Sequence, residues 1–312
     1  MEIYEVEKML SGTQYEPFTG SLQKITFKDY VYNDLFKIDS ESLGYFVLKI
    51  RKKDTKNFTD SINCIKIVND IENIINKNIE VIEKEDYILT VSRWLNGEQP
   101  ADNNHDKLPL FFSKLATFNK NNIVGGPYTS MYLDFNYFDS VDDLINWEVN
   151  YHKKYFFENM DIKGIMEILD NLKHGITCII NEDMNCGNLF ITGDGKYKII
   201  DTEWIIRGIN LYQFQHINYF GFDEKNWYNI TDEAKECYEA YFRTLGINNA
   251  EANEQIRAIE LLNVLRENTN LKYRKKDNDK EIEKRIKIVM EKEKYIYKEG
   301  ILCITGLETL RR

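Results

Sequence analysis

Two acidic side chains and one amide near the middle of the chain have the types and spacing that phosphoryl transfer requires. Asn188 follows Asp183 by five residues, and Asp201 stands at the end of a later apolar, β-prone run. A carboxylate can aim an acceptor hydroxyl or accept its proton, while an amide oxygen and a second carboxylate are hard ligands that Mg²⁺ prefers. Residues 179–204 therefore predict a site that binds a magnesium nucleotide.

The same segment resembles the aminoglycoside phosphotransferase and choline kinase superfamily. Members of that superfamily carry a His-Gly-Asp or His-Asn-Asp start, an Asn five residues on, and an Ile-Asp-x-Glu element. The residues of this chain that fall on the pattern are Asp183, Gly187, Asn188, Ile200, Asp201 and Glu203. The resemblance implies an α+β, bilobal, protein-kinase-like fold with a small antiparallel sheet in the N-lobe and a mostly helical C-lobe.

The resemblance also implies an activity and roles for single residues. Asp183 would be the catalytic residue, and Asn188 and Asp201 would hold Mg²⁺. The reaction would move the γ-phosphoryl group of ATP or GTP to a hydroxyl of a small, amine-containing acceptor, either choline-like or aminoglycoside-like. The enzyme would be a phosphotransferase with an alcohol group as acceptor.

Several positions depart from the family pattern. Asn181 and Glu182 stand where the family has His and then Gly or Asn. Asn119 takes the His position of a segment that resembles a Leu-Ala-x-Leu-His helix, and Gln213 replaces a later Asp. These replacements keep an alternative open, in which the chain is a catalytically degenerate pseudokinase or a spore-coat-like relative that acts as a binding or structural protein.

The elements that must position these residues form two predicted lobes. Aromatic and β-branched runs between residues 15 and 50 predict a small antiparallel sheet, and apolar residues at helical spacing predict a helix over residues 59–76. A last strand over residues 86–94 runs into a break. We therefore expect an N-terminal nucleotide-binding lobe over residues 1–95. Residues 96–312 would form a helical lobe with the catalytic loop, the metal-binding loop and the acceptor site.

The first lobe contains the candidates for nucleotide contacts. Lys49 lies in a strand-like run and, by the resemblance, would contact the α and β phosphates. Glu72 on the following helix is expected to aim Lys49, with Glu80 as a rival. Because no G-x-G-x-x-G loop occurs, Gly20 and Ser21 are the nearest candidates for a turn over the phosphates.

Further candidates would contact the base and the acceptor. The connection around Trp94 is expected to face the purine base. Glu203, Tyr212 and Trp227 are expected near the acceptor, because a carboxylate and aromatic faces attract a cationic molecule. The alternative for the aromatic residues is packing in a core.

The composition limits the other classes of function. The net charge of -10 argues against nucleic-acid binding and allows a cationic acceptor. The five cysteines show no C-x-x-C pair and no metal-ligand spacing, which is typical of a reducing cytoplasm. No apolar run approaches the length that a bilayer requires, so we expect neither a signal peptide nor a membrane helix. The identity of the acceptor, the choice between ATP and GTP, and the oligomeric state stay open.

Overall fold

The computed structural model describes the larger part of the chain. The described residues are 1–26, 34–40, 44–53, 56–70, 73–99, 108–130, 136–155, 160–184, 186–216, 222–223, 226–230, 232–273 and 279–291. Glu72, the residue expected to aim Lys49, lies outside them, and only the backbone of Trp227 is described. The architecture is α+β and bilobal, as predicted, with a small antiparallel sheet in one lobe and mostly helices in the other.

The first lobe is built on a five-stranded antiparallel sheet. Helix α1 (Ile3–Leu10) and a 3-10 turn (Glu16–Ser21) precede the sheet, so the strand predicted to begin at residue 15 is wrong. Its strands are β1 (Gln23–Ile25), β2 (Asp34–Ser40), β3 (Gly44–Lys52), β4 (Asn78–Glu83) and β5 (Tyr87–Arg93), in the spatial order β1-β2-β3-β5-β4. Along β3, Phe46, Leu48 and Ile50 enter the core of the lobe. Since side chains alternate along a strand, Lys49 and Arg51 lie together on the opposite face.

Helix α2 (Lys56–Ile67) follows β3 and is shorter than the helix predicted over residues 59–76. After it ends, the Asp70 carboxylate accepts the backbone N–H groups of Ile74 at 2.8 Å and Ile75 at 3.0 Å. Both isoleucines are buried, but in an extended segment that is bridged to a strand of the second lobe. The apolar positions at the end of this run therefore mark burial and not a helix.

The second lobe surrounds its short strands with helices. The helices are α3 (Leu108–Asn121), α4 (Val141–Lys153), α5 (Ile162–Leu169), α6 (Asp232–Leu245), α7 (Asn249–Tyr273) and α8 (Asp279–Glu291). The strands are β6 (Gly97–Glu98), β7 (Thr177–Asn181), β8 (Leu189–Thr192), β9 (Tyr197–Ile199), β10 (Ile205–Ile209), β11 (Phe222–Asp223) and β12 (Asn226–Ile230). Strand β8 lies between β6 and β9, β7 pairs with β10, and β11 pairs with β12. Within the described ranges, no helix is both long and apolar enough to span a bilayer.

The connection that leaves β5 is hydrogen-bonded to the second lobe. Strand β6 pairs with β8, where Gly97 is opposite Thr192. The Gln99 side chain donates from Nε2 to the carbonyl oxygen of Gly187 at 2.9 Å, within the loop that precedes β8. The predicted lobe boundary after residue 95 falls in this connection and stays a prediction.

Candidate active site

Two cations of β3 meet two carboxylates of the loop that follows β9. The Lys49 Nζ lies 2.8 Å from Asp201 Oδ1 and also contacts Glu203, and the Arg51 Nη1 lies 2.7 Å from Glu203 Oε2. Burial disfavours the Lys49 ammonium, but the charges of Asp201 and Glu203 outweigh burial and raise the pKa of Lys49. The cluster therefore joins the lobes and keeps Lys49 protonated.

Asp201 itself has an unusual backbone. Its φ of 56° and ψ of 68° lie in the left-handed region, which it shares with Asn73 among the described non-glycine residues. Such conformations are uncommon and concentrate at functional sites. Two hydrogen bonds hold this turn: Asn181 Nδ2 donates to the Asp201 carbonyl at 3.2 Å, and the Ser61 hydroxyl of α2 donates to the Thr202 carbonyl. The backbone around Asp201 is thus fixed from β7 and from α2.

Asp183 and Asn188 lie together in the loop between β7 and β8. The Asn188 Nδ2 donates to the Asp183 carboxylate at 2.9 Å and to the Asp183 carbonyl at 2.8 Å. The Asn188 carbonyl accepts the N–H of Ile200 at 2.9 Å, next to Asp201 in the chain. The structure therefore brings Lys49, Asp183, Asn188 and Asp201 to one junction of the lobes.

Solved structures with the same fold come from known phosphotransferases. A Plasmodium vivax ethanolamine kinase is 15% identical, with a TM-score of 0.57, over 92% of this chain and 86% of that one. A thermostable mutant of aminoglycoside phosphotransferase APH(4)-Ia, in a ternary complex with ADP and hygromycin B, is 16% identical, with a TM-score of 0.58, over 92% and 98%. The chain has their protein-kinase-like fold. The predicted resemblance is confirmed at the level of the fold. No protein-family model and no curated protein matches the sequence.

The residues that depart from the family pattern make structural hydrogen bonds in this kinase-like fold. Asn181 Oδ1 accepts the backbone N–H of Asp183 at 3.0 Å, and Asn181 Nδ2 donates to the Asp201 carbonyl. Asn181 therefore connects the loop of Asp183 with the loop of Asp201; we call these the two acidic loops. Gln213 Nε2 donates to Asn119 Oδ1 at 2.9 Å, and both side chains are buried. Asn181 therefore supports the backbone of both loops, and Asn119 supports β7 by donating from Nδ2 to the Ile179 carbonyl at 3.1 Å.

The Asn188 amide and the Asp201 carboxylate suit a metal that is shared with a ligand. The Asn188 amide nitrogen is engaged with Asp183, which directs the amide oxygen away from Asp183. Among the residues that the structure describes, no group of three or more His, Cys, Asp or Glu could hold a metal by itself. Mg²⁺ commonly completes its shell with water and phosphate oxygens, so this donor pair fits a magnesium nucleotide.

The acceptor roles predicted for two residues do not fit the structure. Tyr212 is fully buried, and its hydroxyl donates to Glu148 Oε2 at 2.6 Å. Its expected place in an acceptor pocket is wrong, and the core alternative holds. The Glu203 carboxylate is shared by Lys49 and Arg51, so its charge is compensated and offers little attraction to a cationic acceptor.

Gly20 and Ser21 lie before β1 and not in the connection from β1 to β2. The Ser21 hydroxyl donates to the Asp39 carbonyl at 2.7 Å and accepts the Asp39 N–H at 2.9 Å. Asp39 pairs with Tyr45, which is four residues from Lys49 along β3. At about 3.3 Å per residue, Ser21 is anchored roughly 13 Å along the strand from Lys49. The prediction that this turn covers the phosphates beside Lys49 is therefore wrong.

The predicted base-facing segment begins with a stacked cation. The backbone N–H of Trp94 donates to the Tyr45 carbonyl at 3.0 Å. The Lys37 Nζ lies 4.0 Å from the ring centroid of Tyr45 and 4.8 Å from that of Trp94. These residues stand where β5 leaves the sheet, and the contact of Trp94 with a purine stays a prediction.

Sequence reasoning missed Arg51, although the sequence contained a signal for it. Residues two apart on a strand lie on the same face. Once Lys49 was assigned to a strand, Arg51 was therefore the neighbouring cation on the face that meets Asp201.

Proposed function

We propose that the protein is a small-molecule kinase that transfers the γ-phosphoryl group of ATP or GTP to a hydroxyl of a small, amine-containing acceptor. The observation that carries the proposal is the meeting of Lys49, Asp183, Asn188 and Asp201 between the lobes. The fold neighbours support it: one is an ethanolamine kinase, and APH(4)-Ia has been captured with ADP or AMP-PNP together with hygromycin B.

Each residue of this set has a role that phosphoryl transfer needs. Asp183 aims the acceptor hydroxyl and takes its proton as the new bond from the acceptor oxygen to the γ phosphorus forms and the bond to the β–γ bridging oxygen breaks. Lys49, held protonated, binds the α and β phosphates. Asn188 and Asp201 would hold Mg²⁺, which when bound neutralises charge on the phosphate oxygens.

The pseudokinase alternative depended on the replacements at Asn119, Asn181 and Gln213. In the structure their side chains bond to the protein's own backbone and to each other, and Asn181 links the two acidic loops. The replacements are therefore compatible with an active centre, which supports the proposal.

The nature of the acceptor and the compartment are the less constrained parts of the proposal. An amine-containing acceptor is supported by the net charge of -10 and by the substrates that the neighbours' names contain. With Tyr212 in the core and Glu203 paired, Trp227 remains the predicted aromatic contact. A reducing cytoplasm is proposed because the five cysteines of the sequence include no C-x-x-C pair.

Ligand-induced stabilisation followed by a transfer assay tests the proposal. A ligand that binds only the native state stabilises it by about 2.7 kcal/mol when its concentration is about 100 times the Kd. We therefore expect Mg·ATP or Mg·GTP to raise the Tm, and the nucleotide without Mg²⁺ to raise it less. Amines and sugars with hydroxyl groups are then screened for phosphorylated product by mass spectrometry.

The two steps separate the competing functions. A Tm that neither magnesium nucleotide changes contradicts the proposal. A clear nucleotide response, without any phosphorylated product from a broad hydroxyl library, favours the pseudokinase.

A further inference from the structure

Glu203 bridges the two cations of β3 with separate oxygens. Its Oε1 contacts Lys49, and its Oε2 accepts from Arg51 Nη1 at 2.7 Å. A carboxylate that is held at both oxygens has little freedom to rotate. Arg51 therefore fixes the orientation in which Glu203 faces Lys49.

The two carboxylates that contact Lys49 differ in exposure. The Asp201 side chain is 32% exposed, whereas that of Glu203 is 6% exposed. Water or a metal ion can replace a partner of an exposed carboxylate at small cost, but a buried charge that loses its partner is strongly destabilising. Asp201 is thus the exchangeable partner of Lys49, and Glu203 is the permanent one.

Two described carboxylates that follow β3 in the chain have partners of their own. Asp70 accepts the N–H groups of Ile74 and Ile75, and Glu80 contacts the Gln14 side chain. Helix α2 reaches the same loop as Glu203 through a hydroxyl, that of Ser61.

We infer that Glu203, oriented by Arg51, is the residue that positions Lys49 for the nucleotide phosphates. The inference rests on the proposed function, and it replaces Glu72 as the expected aiming residue. With Asp201 bound to Mg²⁺, Lys49 would keep Glu203 as its carboxylate partner. Arg51 is then a positioning residue that acts through Glu203, because it contacts the Glu203 carboxylate and not the nucleotide.

A double-mutant cycle in nucleotide-free protein tests the pairing. Lys49→Met, Glu203→Gln and the double variant are unfolded in urea, with a parallel cycle for Lys49 and Glu72→Gln. We expect the unfolding constants of the Lys49–Glu203 cycle to depart from additivity by about tenfold, within the range seen for residues in contact. The Glu72 cycle should be additive within about twofold. An additive Glu203 cycle, or coupling of Lys49 to Glu72 in its place, overturns the inference.

Calorimetry with Mg·ATP tests the consequence. In the natural protein, Glu203→Gln should raise the Kd of Mg·ATP about tenfold. In a protein that already contains Lys49→Met, it should raise this Kd less than about twofold, because Glu203 acts through its contact with Lys49. Glu83→Gln is the control, since Glu83 forms an exposed pair with Lys53 at 3.8 Å. Equal losses in both backgrounds would overturn the inference.

Two further outcomes are informative. If the cycle shows coupling but the natural protein binds neither Mg·ATP nor Mg·GTP, the proposed function fails, and the pairing has only a structural role. If Glu203→Gln does not fold, Glu203→Asp takes its place in both experiments. That variant keeps the charge on a shorter side chain, so it should show a smaller loss with the same dependence on Lys49.

Discussion

Asp183 and Asp201 have identical side chains in two different settings. The Asp183 carboxylate accepts from Asn188 within its own loop, at 2.9 Å. Asp201 contacts Lys49 across the lobes and has a left-handed backbone. The first setting suits a group that acts on the acceptor, and the second suits a group that acts on the nucleotide and its metal.

Replacement of the two carboxylates should therefore separate chemistry from nucleotide binding. Asp183→Ala should lower kcat by about 10²- to 10⁴-fold, the usual contribution of a positioned base, and leave the Kd of Mg·ATP nearly unchanged. Asp201→Asn should weaken Mg·ATP binding and turnover together, and Asn188→Ala should do so more mildly. Calorimetry and single-turnover transfer measure the two effects.

A surface carboxylate close in sequence provides the control. Asp194 lies in the turn between β8 and β9, where it is exposed and pairs with Lys196 at 2.5 Å, so Asp194→Asn should change neither quantity. A full rate of transfer in Asp183→Ala, with a true acceptor, would contradict the assigned role.

At this scale the sequence predicted which residues come together better than it predicted the ion pairs between them. Asp183, Asn188, Asp201 and Lys49 were chosen by type, spacing and resemblance, and the fold brings them together. Glu203 could not be placed in the same way. Its partners come from a strand that lies 152 residues earlier in the chain, and no local pattern encodes such a pair.

Among the elements, the short strand β6 connects the lobes through a very close approach. A Cβ atom at Gly97 would lie 2.1 Å from the carbonyl oxygen of Ile191 on β8. No side chain larger than hydrogen fits at this distance unless the two strands move apart.

Gly97→Ala should therefore loosen the connection that is predicted to face the base. Overpacking of this kind costs roughly 1–3 kcal/mol, so the Tm should fall and the Kd of Mg·ATP should rise. Thermal unfolding and calorimetry measure these changes. Gly193→Ala is the matched control, because a Cβ there meets nothing within 4 Å. If the two variants have the same Tm and the same Kd, β6 can move away from β8 without loss of stability.

The sequence predicted strands more accurately than the end of α2. Alternating and β-branched residues indicated the sheet, and the structure contains it. The helix stops at Ile67 because the Asp70 carboxylate binds backbone N–H groups beyond it, and because Ile74 and Ile75 pack against the second lobe. The end of the helix is thus set by a side chain that competes for backbone N–H groups and by a contact with a distant part of the chain. The spacing of hydrophobic residues contains information about neither.

For the molecule as a whole, a buried charged network connects the helices of the second lobe to the loop that contains Asp183. Arg266 of α7 contacts Glu148 of α4. The Arg266 Nη2 also lies 3.8 Å from Oε1 of Glu182, the residue that precedes Asp183 in the chain. Ser130 donates to the same Glu182 oxygen at 2.6 Å. The unusual Glu182 thus has a compensating cation, which the sequence could not reveal because Arg266 lies far from both glutamates in the chain.

Removal of a single partner from such a network is far more damaging than removal of a surface pair. Burial disfavours the Glu148 carboxylate, but the Arg266 charge and hydrogen bonds from His152 and Arg266 outweigh burial and lower the pKa of Glu148 to about 2, from an ordinary value of 4.5. As the pH falls, Glu148 is therefore protonated in the unfolded chain before it is protonated in the native protein. The stabilisation is complete above about pH 4.5 and is lost progressively toward pH 2.

This linkage predicts an acid-dependent difference between the natural protein and Glu148→Gln. The free energy of unfolding in urea, measured from pH 7 to pH 3, should fall more steeply for the natural protein, by about 2 kcal/mol over this range. The variant lacks the titrating carboxylate, so it should be less stable at pH 7 and approach the natural protein in acid. Glu167→Gln serves as the control, because Glu167 is exposed and pairs with Lys163 at 3.6 Å; its curve should follow the natural one. Parallel curves for Glu148→Gln and the natural protein would show that Arg266 does not hold Glu148 ionised, and that the network around Glu182 depends on shape and hydrogen bonds alone.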